Sequence, residues 1–138
     1  MEDGAAVVRG IYEAFDRRDF DSLMAPITDE TVVTVMAFGQ DLKGSEGFRQ
    51  FTAPFTEAFP DISIEVRNLV AEGDQVAAEL LLHGTHSGPL RGPMGDIAPT
   101  GNTIDVAVAE IWELQDGKVS RLRNYLDPGT LMRQLSVG

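Results

Sequence analysis

The sequence predicts an α+β fold, with one curved antiparallel sheet wrapped against helices gathered near the N-terminus. Apolar residues recur at helical spacing up to Phe59 and then alternate at strand spacing from Ile62 onward. Two turn signals, Glu72-Gly73-Asp74 and Asp116-Gly117, divide the later part of the chain into long strands. With 138 residues, 43% of them hydrophobic, the chain is sized for one core, and a single domain over 1–138 is expected.

Val8, Ile11, Tyr12 and Phe15 stand at i, i+3, i+4 and i+7 and predict a first helix over 4–17 that packs by this stripe. Asp19 is placed to cap a short second helix carrying Phe20, Leu23 and Met24, which Pro26 ends. Thr31 to Val35 is a β-branched strand, and Gly39 to Gly44 reads as a loop. Ser45 then opens a third helix, with Phe48, Phe51, Phe55 and Phe59 along one face and a kink expected at Pro54.

Ile62, Ile64 and Val66 begin a hairpin whose second strand runs from Val76 to His83. Gly84 to Gly101 follows, with five glycines and three prolines around Leu90, Met94 and Ile97. Strands over Thr103–Leu114 and Lys118–Leu126 come next, and Pro128 starts a short C-terminal helix bearing Leu131, Met132 and Leu135. Helices first and antiparallel strands afterwards make a layered α+β fold whose sheet curves into a cone.

Composition narrows the function. Asp and Glu number 22 against 11 Lys and Arg, and a net charge of -11 repels both nucleic acid and anionic lipid. The absence of Cys removes thiolate catalysis, Fe–S clusters and zinc-thiolate sites. The acidic start Met-Glu-Asp-Gly and the lack of any apolar run near ~18 residues predict neither a signal peptide nor a membrane span. A cytoplasmic enzyme or binding protein is the expectation.

Phe59-Pro60-Asp61, Gly84-Thr85-His86-Ser87-Gly88, Pro99-Thr100-Gly101, Asp116-Gly117-Lys118-Val119 and Asp127, in this order, resemble the SnoaL-like polyketide cyclases of the NTF2-like superfamily. The resemblance runs over about residues 5 to 135. It implies a cone-shaped α+β barrel with a deep apolar pocket, no cofactor, and a homodimer or larger homo-oligomer. It also implies an enzyme that closes a ring by intramolecular aldol addition on a small apolar carbonyl compound. Relatives that hydroxylate, open epoxides, isomerise or only bind ligands share the fold, so a non-catalytic small-molecule binder stands as the alternative.

By the same resemblance Asp127 is the acid/base residue, a role that needs its pKa raised by an apolar pocket. Asp127-Pro128 is equally an N-cap with proline at N1, which would favour the anion. His86 lies in the Gly-Thr-His-x-Gly turn and either bonds the loop or reaches substrate. His83 and His86, three apart, point to opposite faces of a regular strand, so no metal site is expected. The family's assisting histidine is missing from the penultimate strand, which reads Glu110-Ile111-Trp112-Glu113. Glu110 and Trp112 share one face and can replace it if that face lines the pocket. Arg121, Arg123, Tyr125 and Asp127 alternate on the last strand; either they line the pocket, or Leu122 and Leu126 turn inward instead. Tyr12 matches a pocket tyrosine of the family, although its apolar stripe also suits the core. The candidate set is therefore Asp127 and His86 for catalysis, with Tyr12, His83, Glu110, Trp112, Arg123 and Tyr125 around the substrate.

Overall fold

A computed structural model describes residues 3–92 and 95–136; Met94, placed in the glycine-rich excursion, lies outside the described residues. The helices are α1 (Gly4–Arg17), α2 (Phe20–Met24), α3 (Gly44–Ala58) and α4 (Pro128–Gln134). The strands are β1 (Ile27–Val35), β2 (Gln40–Lys43), β3 (Ser63–Glu72), β4 (Gln75–Thr85), β5 (Thr103–Gln115) and β6 (Lys118–Leu126). They form one six-stranded sheet in the order β2-β1-β6-β5-β4-β3.

Local chemistry sets the helix ends. Asp3 and Asp19 accept hydrogen bonds from Ala5 N and Ser22 N and so cap α1 and α2. Arg18 closes α1 in the left-handed region at φ 60, and its guanidinium donates to the carbonyls of Phe15, Pro60 and Ile62. That contact ties the end of α1 to the start of β3. The β5–β6 turn places Asp116 and Gly117 at φ 52 and 76, the paired positive values of a type I′ hairpin.

The inner face of the sheet is the alternation read from the sequence. Val76, Ala78, Leu80 and Leu82 of β4 and Ile104, Val106, Val108, Trp112 and Leu114 of β5 are buried. α1 and α3 supply Val8, Ile11, Tyr12, Phe15 and Phe48 to the same core. Burial of this apolar surface, at roughly 25 cal/mol per Å², is the main force holding helices to sheet.

Four expectations are corrected. The sheet is mixed: β1 runs parallel to β6, while the other neighbouring pairs are antiparallel. Residues 40–43 form β2 rather than loop, because pairing with Val32–Val35 satisfies their backbone groups. Lys43, not Ser45, occupies the N-cap of α3 and gives no side-chain bond, while the cap region turns at Gly44 with φ 76. β4 runs two residues beyond His83, through Gly84 to Thr85. Pro54 sits inside α3, which continues to Ala58.

Candidate active site

Glu110 stands on the inward face of β5, directly opposite Asn124 of β6 in the register. Its carboxyl is buried among apolar side chains and holds two hydrogen bonds. Tyr12 of α1 donates to Oε1 at 2.8 Å, and Asn124 Nδ2 donates to Oε2 at 2.8 Å. Trp112, two residues along β5, donates from Nε1 to the Tyr12 oxygen at 2.8 Å. The Tyr12 and Trp112 rings meet edge to face with centroids 5.9 Å apart. A helix, two strands and four side chains thus share one hydrogen-bonded chain inside the core.

Burial dominates the electrostatics. It pushes the Glu110 carboxyl above the usual carboxylate range, and the bonds from Asn124 and Tyr12 only partly oppose that rise. The Tyr12 phenol is pushed well above its ordinary value, first by burial and then by the neighbouring Glu110 charge, so Tyr12 is a fixed donor.

Two apolar cavities meet at this network. The inner one, about 80 Å³, is walled by Ile11, Phe15, Phe48 and Trp112 and reaches Tyr12, Glu110 and Asn124. The outer one, about 130 Å³, lies between Phe38, Leu42, Leu90, Leu131 and Met132. Phe51, Phe55, Asn124 and Leu126 line both. Arg91, from the segment after β4, stands at the outer rim 3.4 Å from Glu57.

Glu110 and Trp112 lie together on the inward face of β5, and Tyr12, a candidate by resemblance, meets them from α1. The other candidates are placed elsewhere. Asp127 is exposed and caps α4, accepting from Thr130 Oγ1 at 2.8 Å and Gly129 N at 3.1 Å. The Thr130 bond, then the Gly129 amide, hold its carboxyl below the usual range, the opposite of a proton carrier poised near neutrality. Of the two readings of Asp127-Pro128, the cap describes the structure.

Leu122, Asn124 and Leu126 point inward, so Arg123 and Tyr125 lie on the outer face of the sheet. There Arg123 pairs with Glu113, and Tyr125 is 42% exposed. His83 is on that outer face too, bridging Glu65 at 2.9 Å and Asp105. Its alternation with the buried Leu82 sets this direction.

His86 is wholly buried but lines neither cavity. Its Nδ1 accepts the Thr100 N–H at 3.2 Å and meets Thr100 Oγ1 at 2.9 Å, while its ring lies against Phe59. The histidine therefore anchors the segment after β4, and burial lowers its pKa and keeps it neutral. Among the described residues, no three or more His, Cys, Asp or Glu groups cluster to hold a metal, and no helix is long and apolar enough to cross a membrane. Asn124 was not foreseen. Its sequence signal was a lone amide at period 2 between Leu122 and Leu126.

Comparison with known proteins gives the frame for this site. A SnoaL-like polyketide cyclase from Jannaschia sp. CCS1, so assigned, is similar at 25% identity, with a TM-score of 0.86 and coverage of 98% of this chain and 92% of that one. An NTF2-like protein of unknown function from Burkholderia pseudomallei matches at 16% identity and TM-score 0.78 over 99% of this chain and 100% of its own. An LEH-like epoxide hydrolase from M. tuberculosis matches at 17% identity and TM-score 0.72, covering 96% of this chain and 89% of that chain. No curated protein matches significantly. The fold is thus NTF2-like. The family model described as SnoaL-like polyketide cyclase spans residues 5–135, from the first helix to the last and across the whole Tyr12–Glu110–Asn124 network. By that match, the chain belongs to the SnoaL-like polyketide cyclase family.

Proposed function

We propose that the protein is a cofactor-independent acid/base enzyme that closes a ring by intramolecular aldol addition on an apolar carbonyl compound, with Glu110 as proton carrier. The observation that carries this reading is a buried carboxyl in the wall of an apolar cavity, fixed by Tyr12 and Asn124. Family membership supports the reaction class.

The Glu110 carboxylate takes a proton from the carbon next to a carbonyl, and the C–H electron pair becomes an enolate. The enolate carbon attacks a second carbonyl of the same molecule and forms the C–C bond. The new alkoxide recovers the proton from Glu110, so the product is an isomer of the substrate and no proton is consumed. Each Glu110 oxygen accepts one bond from the protein and keeps a second lone-pair direction for the substrate's proton. Burial raises the carboxyl pKa, which favours the protonated form and makes the carboxylate, once formed, a stronger base towards the substrate's C–H.

A binding protein without proton transfer is the second reading, favoured by one observation: both Glu110 oxygens are already engaged, as in a purely structural network. The two are separated with 1-phenylhexane-1,5-dione, a diketone able to close a six-membered ring. NMR in D2O follows both exchange of its α-protons and formation of the isomeric cyclic β-hydroxy ketone. Glu110→Gln is expected to slow both by about 100-fold or more, with Asp127→Asn unchanged. Wild-type rates in Glu110→Gln would overturn the assignment, and binding of the diketone without exchange in the wild type would establish the second reading.

A further inference from the structure

We propose that Asn124 Oδ1 is the docking point for an O–H or N–H donor on a two-lobed apolar ligand, seated where the inner and outer cavities meet. The inference rests on this pocket being where the substrate binds. It does not require Glu110 to move a proton.

Phe51, Phe55, Asn124 and Leu126 are common to both cavities, and Asn124 alone of the four is polar. A ligand spanning the two spaces passes this amide. The orientation of the amide is set from behind: Glu110 Oε2 accepts from Nδ2 at 2.8 Å, which leaves Oδ1 as the end free to face the cavity. No protein group among the described residues donates to Oδ1. It is not sealed away either, since the residue is 9% exposed and the buried partnerless side-chain atom found among the described residues is His86 Nε2.

Two polar neighbours in the inner lobe are already engaged. Tyr12 both donates to Glu110 and accepts from Trp112, and Thr52 turns its hydroxyl to the Arg49 carbonyl at 3.2 Å. Near Asn124 the walls of both lobes are aromatic or aliphatic, so an apolar ligand covering Oδ1 leaves a desolvated acceptor unless it brings a donor. Where the two lobes join, the pocket therefore discriminates by hydrogen-bonding character at Asn124 and by shape along its apolar walls. Its ligand class is a compound with two ring-sized apolar parts and a hydroxyl, enol or N–H at their junction.

The test uses 2-hydroxybiphenyl and 2-methoxybiphenyl, which have two rings and an oxygen beside the bond that joins them; only the first can donate. By titration calorimetry the hydroxyl compound is expected to bind about tenfold more tightly to the wild type. That ratio is expected to fall to about one in Asn124→Leu and to persist in Asp127→Asn. Equal affinities in the wild type, a ratio that survives Asn124→Leu, or no binding of either biphenyl would each overturn the proposal. Should Asn124→Leu not fold, the wild-type Asn124 13Cγ resonance decides. It is expected to shift with 2-hydroxybiphenyl and not with 2-methoxybiphenyl, and identical responses would overturn the proposal. None of these readings involves turnover. A catalytically silent protein that keeps the hydroxyl preference defeats the Glu110 assignment and leaves this one standing.

Discussion

Asn124 and Glu110 face each other as register partners on β6 and β5, joined by a 2.8 Å bond from amide to carboxyl. The pairing of two antiparallel strands thus places a donor on a buried acid without any loop taking part. Rigid strands hold such geometry better than loops do.

The buried acid has a cost that depends on pH. Glu110 has a folded pKa above its unfolded value, so between the two the native state holds a proton that the unfolded chain has lost. Stability is then full below the unfolded pKa, near ~4.3, and falls as pH rises towards the folded value. Glu110→Gln is expected to remove this fall. Thermal unfolding at pH 5 and pH 8 checks it: the variant should gain Tm relative to the wild type at pH 8 and gain less at pH 5.

Tyr12→Phe removes one donor from Glu110 and leaves the Trp112 N–H without its acceptor. A stability loss of about 1–3 kcal/mol is expected from the unpaired buried group. Losing a bond that lowers the Glu110 pKa moves it further up, so the acidic limb of any pH–rate profile should shift to higher pH. Denaturant titration and a pH profile read the two effects separately.

Asp127 serves α4 rather than the cavity. Asp127→Ala is expected to lower Tm by roughly 2–6 °C at pH 7, as loss of a helix cap does. Its folded pKa is depressed, so the contribution is present above the unfolded value and disappears as pH falls through the folded one. Melting curves of wild type and variant should converge in strong acid.

Hydrogen bonds first to Glu65 and then to Asp105 favour the charged imidazole of His83 and raise its pKa. A raised histidine stabilises the fold below its unfolded value near ~6.5, and the benefit is lost as pH climbs through the folded value. The exposed position keeps the effect small. His83→Gln is expected to flatten the pH dependence of Tm just above pH 6.5 and to leave ligand affinity unchanged, as both thermal scans and calorimetry can show.

Much of this architecture was visible in residue order. The stripe of Val8, Ile11, Tyr12 and Phe15 and the alternation of β4 and β5 announce their buried faces because burial imposes the period. β2 escaped notice because Gln40, Asp41 and Lys43 are exposed and only Leu42 packs inward, so no apolar rhythm marks an edge strand. The parallel pairing of β1 with β6 has no local signature at all. At the site, Glu110 and Trp112 follow from their common strand face. Asp127-Pro128 has two local meanings, and Thr130, whose hydroxyl completes the cap, decides for the helix. The role of Asn124 depends on which side of β6 faces the core, which two alternating sets of residues left open.

The parallel pairing also bears on how the protein is made. β1 leaves the ribosome long before β6, its inner neighbour, and until then only the four-residue β2 can pair with it. Tyr12 likewise waits for Glu110, 98 residues downstream. Contacts this distant close late and slowly. During synthesis, the nascent chain therefore presents an unzipped strand beside a half-built cavity, and chaperone demand should peak just before residues 118–126 emerge.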